Sequence, residues 1–262
     1  METDHSDKLV ILGSGNLAWH LGPALQNAGF TILQVCSRTE NSARLLGERL
    51  GVEWITDPAG IDEEAGTLVF CISDNAIPDL MCRIELRTRP VLIHTAGSVS
   101  LDVFNGIAKE SGVLYPLMTF TKDRTLHLQN VPFCIEGSSE YSLALVERMA
   151  RGISEKIYQI NSEERKILHL GGIIASNFSN HMYHLAADFL SARGMDFEIL
   201  KPLIMETASK IMEMEPAASQ TGPASRNDTD VIQDHADLLK DLPELQKIYT
   251  FVTDSITNHF NS

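Results

Sequence analysis

The apolar run from Lys8 to Leu12 constrains the fold most, because it ends at Gly13 and a helical pattern from Asn16 to Ala28 follows at once. A short run without polar alternation predicts a strand buried on both faces. The other predicted strands are 31–36, 52–55, 67–72, 90–94, 113–115, 131–135 and 156–160. The helices predicted between them are 41–50, 76–86, 101–109 and 141–151. This alternation predicts an α/β fold with a doubly wound, mostly parallel sheet and right-handed crossovers.

The pattern changes after residue 160. Ser162 and the acids that follow it begin a long helical stretch, for which we predict a Ser cap and an end near Ser191. Further helices are predicted at 197–214, 228–240 and 244–260, with a Pro/Gly/Ser-rich loop at 216–225 and no convincing strand. We therefore predict a first domain at 1–160 and an all-helical domain at 161–262.

Residues 13–18 form a G-x-G-x-x-A pattern between the first predicted strand and the first predicted helix. The first glycine permits a tight turn, the second lets the backbone approach a pyrophosphate, and the third small residue allows close helix–strand packing. The helix N-terminus then offers backbone N–H groups to phosphates. In this position we expect a Rossmann-like dinucleotide site rather than a tight turn without a ligand. The expected cofactor-binding residues here are Gly13, Ser14, Gly15, Asn16, Leu17 and Ala18.

The second predicted strand is followed by Ser37, Arg38 and Thr39, with no acid at its end. An NAD site normally carries Asp or Glu there, about 20 residues after the glycines, to bind the ribose hydroxyls. Two hydroxyls and a guanidinium instead suit the 2′-phosphate of NADP, since Arg offers phosphate oxygens a fork of donors. We therefore expect all three residues to bind the cofactor and NADP to be preferred over NAD. The alternative is that Arg38 is a solvated turn residue.

Small and polar residues follow the predicted strands at 67–72 and 90–94. In an open parallel sheet, ligands bind beyond the carboxyl ends of the strands. The residues expected to border the cofactor are Ser73, Asp74, Asn75, Thr95, Ala96 and Gly97. Ser98 and Thr119 are expected to line a substrate pocket. Asp74 or Asn75 could equally cap the next helix, and the two roles are compatible.

The formal net charge is −14, from 21 Lys and Arg against 35 Asp and Glu. This balance argues against nucleic-acid and anionic-membrane partners, which need clustered cations. The four cysteines form no C-x-x-C pair, and residues 1–8 are polar and acidic, without the apolar stretch of a signal peptide. We therefore expect reduced thiols and a cytoplasmic location.

The chain resembles a known family in six segments. These are Gly13–Ala18, Ser37–Thr39, His94–Ser98, Tyr115–Phe120, Leu168–Asn177 and Gln220–Asp228. The N-terminal part is similar to the Rossmann domain of deazaflavin-dependent NADP oxidoreductases and pyrroline-5-carboxylate reductases. The whole chain resembles a bacterial family in which this domain precedes a helical domain of unknown function. The resemblance implies a helical domain like that of 6-phosphogluconate dehydrogenase, usually paired between subunits, and it brings no established substrate.

One departure from the wider group concerns the catalytic acid. Hydroxyacid dehydrogenases of that group carry a catalytic Lys four residues before an Asn on the first long helix of the second domain. If Asn177 matches that Asn, the Lys position is Ile173. His169 lies one turn further back on the same predicted face, where it would donate a proton as imidazolium while Asn177 orients the substrate. The alternative is a core histidine bonded to a backbone carbonyl.

Two further groups of polar residues lie in the predicted helical domain. His181, His184 and Asp188 share a helix face, but no further ligand at a recognisable spacing completes a metal motif, so we expect no metal site. Arg226 would bind a substrate carboxylate or phosphate, or would anchor its own loop by pairing with acids. Asp228 is predicted to cap the helix that follows.

These patterns together favour an NADP-dependent oxidoreductase. Hydride would pass between the nicotinamide and a small carbonyl, imine or similar acceptor in the cleft between the two domains. The expected partners are a small-molecule substrate and a second copy of the chain, paired through the helical domain. The alternative is a non-catalytic NADP-binding redox sensor or assembly protein, which the absence of Lys at position 173 keeps open.

Overall fold

A computed structural model describes residues 5–86 and 88–260 of the chain. By its contacts the chain divides into two compact units, and the division falls between Asn177 and Phe178. No helix in the described residues is long and apolar enough to cross a membrane.

The first unit is built on a sheet that has eight strands within the described residues. They are Lys8–Leu12 (β1), Thr31–Cys36 (β2), Glu53–Ile55 (β3), Thr67–Phe70 (β4), Val91–His94 (β5), Ser111–Pro116 (β6), Phe133–Gly137 (β7) and Ile157–Gln159 (β8). The strand order is β3-β2-β1-β4-β5-β6-β7-β8. All neighbours are parallel except β6 and β7, which are antiparallel. The predicted mostly parallel α/β fold is confirmed.

Five α-helices of the described chain accompany the sheet. They are Asn16–Asn27 (α1), Glu40–Leu50 (α2), Ala76–Met81 (α3), Glu140–Arg151 (α4) and Ser162–Gly172 (α5). Helix α3 ends earlier than predicted, because alternate residues Ile84 and Leu86 pack against the core in a non-helical segment. The helix predicted at 101–109 is a 3-10 turn, Leu101–Phe104, and the chain turns at Gly106 with a positive φ of 77°.

Both faces of the sheet are covered by apolar clusters. In β1, Leu9 and Ile11 belong to one cluster, while Val10 and Leu12 belong to the other. This division follows from the alternation of side chains along a strand, and it explains why the run contains no polar position.

Helix α5 is attached to the sheet by a buried guanidinium. Arg165 is fully buried, donates hydrogen bonds to Glu136 of β7 and to the Val99 carbonyl, and contacts Ser162 Oγ. Ser162 Oγ itself donates to Glu136 Oε2 at 2.8 Å. The helix is therefore capped by Asn161 and not, as predicted, by Ser162. These contacts hold α5 against the sheet, and α5 belongs to the first of the two compact units. The predicted domain boundary at 160 stays a prediction.

The second unit has helices joined by turns and no strand among its described residues. A π-helical segment, Ile173–Phe178, separates α5 from Ser179–Ser191 (α6). The remaining α-helices are Lys201–Glu213 (α7), Pro216–Ser219 (α8), Thr229–Leu238 (α9) and Pro243–Phe260 (α10). Asp228 caps α9 as predicted, with its Oδ1 accepting from the backbone N–H of Val231 at 3.4 Å.

We expect Arg165→Ala to destabilise the first unit by about 3 kcal/mol, because it leaves Glu136 without its buried partner. Urea unfolding followed by circular dichroism measures this loss. Arg151→Ala is the matched control, since Arg151 pairs with Glu147 on the surface of α4 and such pairs contribute about 1 kcal/mol or less. Equal losses in the two variants would contradict the anchoring role of Arg165.

Candidate functional site

The glycine loop after β1 has the conformation that its sequence predicts. Gly13 has a positive φ of 110°, and a Cβ there would lie 2.3 Å from the Cys71 carbonyl oxygen, so a side chain cannot be accommodated. At Gly15, no heavy atom of the described chain lies within 4 Å of the position that a Cβ would occupy. The first glycine is therefore required by the turn, and the second leaves open space above the backbone.

The first turn of α1 lies directly after this open space. Gly15 is the N-cap and brings no side chain to the helix end, so the backbone N–H groups of residues 16–18 remain available to an anion. Ala18 is fully buried against the sheet. Its small side chain allows the close helix–strand packing expected of the third position of the pattern.

The turn after β2 meets the glycine loop. Ser14 Oγ and Ser37 Oγ lie 2.6 Å apart, which joins the two turns by a hydrogen bond. Arg38 and Thr39 are exposed beside them, and within the described residues Arg38 has no ion pair. A free guanidinium at this point fits a 2′-phosphate.

The residues after β4 and β5 divide into buried and exposed groups. Thr95 Oγ1 donates to the Phe70 carbonyl at 2.9 Å, and Ala96 is buried, so both side chains serve the core. Ser98 Oγ donates to Asp74, which joins the ends of the two strands. Asn75 is the N-cap of α3, but no side-chain capping bond is found for it in the described chain. Ser73 is exposed at the same edge.

A tyrosine and a histidine meet at this edge. His169 of α5 places Nδ1 2.9 Å from the hydroxyl of Tyr115, near the carboxyl end of β6. Their rings meet edge to face, with an interplanar angle of 73° and centroids 5.9 Å apart. Both lie against Gly97, where a Cβ would be 2.5 Å from His169 Nδ1 and 2.8 Å from Tyr115 Cζ. His169 therefore bonds a side chain and not the backbone carbonyl of the alternative considered from sequence.

Tyr115 is a protonated phenol at neutral pH. Burial raises the pKa of Tyr115 to about 12, and Cys134 and the carboxylate of Asp74 act in the same direction. The sequence indicated that Tyr115 lies at the end of a strand, but it did not single this residue out as a site residue. The missing information was the position of α5, which brings His169 to it.

Two further predicted site residues of the first unit, Thr119 and Asn177, take no part in these contacts. Thr119 and Asn177 are exposed, and Asn177 lies in the π-helical segment, whose turns hold more residues, so the α-helical spacing from His169 does not apply to it. Arg226 is exposed in the second unit. His184 Nε2 lies 3.5 Å from Asp188 Oδ2 on α6, and no group of three potential metal ligands is found among the described residues.

The fold and the glycine loop define a nicotinamide-dinucleotide-binding protein of the Rossmann class. Residues 8–97 match the family described as NADP oxidoreductase, coenzyme F420-dependent. Residues 131–256 match a domain of unknown function, DUF2520. The chain belongs to the family that joins these two domains, as the resemblance in its sequence predicted. A search of curated proteins finds no match.

Solved structures agree with this assignment. A candidate NADP oxidoreductase from Bacteroides fragilis is 39% identical over 97% of this chain and 99% of that chain, with a TM-score of 0.92. The 1-pyrroline-5-carboxylate reductase of Streptococcus pyogenes shares the fold at 13% identity, over 96% and 98% of the two chains, with a TM-score of 0.59. A reductive aminase from Aspergillus terreus, solved with NADPH, shares it at 14% identity over 95% and 94%, with a TM-score of 0.71. Family and fold together indicate an NAD(P)-dependent oxidoreductase.

We expect Gly97→Ala to separate Tyr115 from His169, because the new methyl group would overlap both side chains. A crystal structure of this variant should show the Tyr115–His169 hydrogen bond broken and the glycine loop at residues 13–18 unchanged. Gly60→Ala is the control, since a Cβ there meets only ordinary contact at 3.7 Å. An intact pair in Gly97→Ala would contradict the packing described.

Proposed function

We propose that this protein is an NADP-dependent oxidoreductase that acts on a small carbonyl, imine or similar acceptor. The observation that carries the proposal is the Tyr115–His169 pair, held against Gly97 at the sheet edge that also carries the glycine loop. Because β1, β4, β5 and β6 are parallel neighbours, their carboxyl ends share one edge. Ligands of open α/β sheets bind at that edge.

The residues present fit the cofactor. The open space at Gly15 and the first turn of α1 would hold the pyrophosphate, while Ser37, Arg38 and Thr39 would hold the 2′-phosphate. The backbone from Thr95 to Gly97 would border the nicotinamide end. When bound, NADPH supplies hydride to the acceptor, or NADP⁺ receives it in the reverse direction.

The chain must then supply a proton to the acceptor oxygen or nitrogen. If Asn177 matches the asparagine of related dehydrogenases, Ile173 stands where they carry a lysine, and the acid then has to come from elsewhere. If the phenol of Tyr115 donates to Nδ1 of His169, the neutral imidazole carries its own proton on Nε2. Either the phenol or a protonated imidazole could serve as the general acid, and solvent would return the proton that the reaction consumes.

We expect Arg38→Ala to weaken the binding of NADPH at least about tenfold and the binding of NADH less than about twofold, because only NADPH carries the 2′-phosphate. Isothermal titration calorimetry with both dinucleotides measures this difference. Equal losses for the two would remove Arg38 from the role. A folded protein that binds neither dinucleotide would overturn the proposed function itself.

We expect Tyr115→Phe and His169→Ala each to lower NADPH-dependent turnover by about 10² or more, with little change in NADPH affinity. NADPH oxidation against a panel of small ketones, imines and a deazaflavin identifies the acceptor on which this is measured. Tyr158→Phe is the matched control, because Tyr158 is an exposed residue of β8. Unchanged turnover in both site variants would refute their role.

The isoleucine at position 173 favours a second candidate function, a non-catalytic NADP-binding sensor or assembly protein. Such a protein would bind NADPH tightly and oxidise it with no acceptor of the panel. If the wild-type protein turns over any acceptor of the panel, and the Tyr115 and His169 variants lose that turnover, this candidate is excluded.

We propose in addition that the second unit pairs with a second copy of the chain. Only Ala224, Leu239 and Thr253 are buried among its described residues, while Met212 is 84% and Phe251 75% exposed. Helices with so little buried apolar surface do not form a stable unit by themselves. An apolar partner surface is therefore needed to cover them.

We expect sedimentation equilibrium to give twice the chain mass of 29.0 kDa. Leu203→Glu should shift the protein to monomer, because Leu203 is an exposed apolar residue of α7. Ser209→Glu adds the same charge to the same helix and should leave the dimer intact. A monomeric wild-type chain would contradict the proposal.

A further inference from the structure

A cavity lies beside α1, and none of the candidate-site residues of the glycine loop, Tyr115 or His169 lines it among the described residues. It has a volume of about 480 Å³ and is lined by Trp19 and Pro23 of α1, by Arg49 of α2 and by the segment 122–129. This volume is in the range of small-molecule sites. We call it the α1 cavity. Trp19, Pro23 and Asn27 follow one another at helical spacing on this face, whereas the dinucleotide loop lies before the helix.

Cations gather at the α1 cavity in a protein of net charge −14. Arg49, Lys122 and Arg124 line it, together with one carboxylate, Asp123, among the described lining residues. Many basic residues of the chain pair with acids, as Arg44 does with Glu48. Arg49, Lys122 and Arg124 have no such ion pair within the described part of the chain.

An aromatic ring holds two of these cations in place. The guanidinium carbon of Arg49 lies 4.5 Å from the centroid of the Trp19 ring, and Lys122 Nζ lies 5.2 Å from it. Cation–π contacts orient a charge without neutralising it. The segment is tied to α1 by His20, whose Nε2 donates to the Thr121 carbonyl at 2.9 Å. The cations are thus positioned and remain free to bind an anion.

We propose that the α1 cavity binds a small anion with two or more negative charges. Arg and Lys are the side chains that bind phosphate and carboxylate groups, and three of them converge on one cavity of suitable size. This site is separate from the dinucleotide loop, and the proposal does not depend on the proposed reaction.

Trp19 provides a direct signal for the test. The chain has two tryptophans, so Trp54→Phe leaves Trp19 as the single fluorophore. Inorganic pyrophosphate and citrate, each titrated at constant ionic strength, should give a saturable change in its fluorescence. A response to pyrophosphate alone assigns the site to phosphates, and a response to citrate alone assigns it to carboxylates. Calorimetry on the wild-type chain gives the same affinities if Trp54→Phe does not fold.

Charge-removing variants locate the binding. The double variant Arg49→Gln/Lys122→Gln should weaken the binding of the probe anion at least about tenfold. Arg44→Gln removes one positive charge outside the cavity, from the helix that also carries Arg49, and should change the affinity less than about twofold. No saturable binding of either probe, or equal losses in the two variants, would overturn the proposal.

Discussion

The buried guanidinium of Arg165 joins three parts of the chain that are far apart in sequence. It donates to Glu136 on β7, to the carbonyl of Val99 after β5, and to Ser162 at the start of its own helix. A buried arginine is costly unless it is paired and hydrogen-bonded, so α5 can dock only where these acceptors converge. One turn further along α5 lies His169. The geometry of the candidate site therefore depends on this anchor.

The docked helix gives the sheet edge a chemistry that the strands alone do not have. Tyr115 comes from β6, Gly97 follows β5, and His169 comes from α5. The absence of a Cβ at Gly97 lets the two rings meet, and burial raises the pKa of the Tyr115 phenol further above neutral pH. A Rossmann sheet provides a place for a dinucleotide, and in the proposed reaction this pair supplies the proton beside it. If Asn177 matches the asparagine of related dehydrogenases, isoleucine stands at the position of their lysine, and the proposed reaction then needs this proton source.

Much of the fold follows from local sequence. Apolar runs such as Lys8–Leu12 predict their strands, and the pattern at 13–18 predicts the loop, because both depend on neighbouring residues. The candidate site could be predicted from the sequence only in part. A sequence gives no reason to bury Arg165, since arginine is mostly exposed, and without that contact Tyr115 and His169 cannot be paired. The π-helical segment places Asn177 on a different face from the one that α-helical spacing predicts. The α1 cavity forms only because the segment 122–129 packs beside α1. Each of these depends on contacts between distant segments.

In the proposed function, NADP places its nicotinamide at the edge where Tyr115 and His169 meet. A crystal structure of the chain with NADP⁺ tests this claim most directly. We expect the 2′-phosphate on Arg38, the pyrophosphate above Gly15, and the nicotinamide beside the backbone of residues 95–97. Tyr115 or His169 should then lie within reach of an acceptor bound against the nicotinamide ring. A nicotinamide bound away from both side chains, with the phosphates still on the glycine loop, would contradict it.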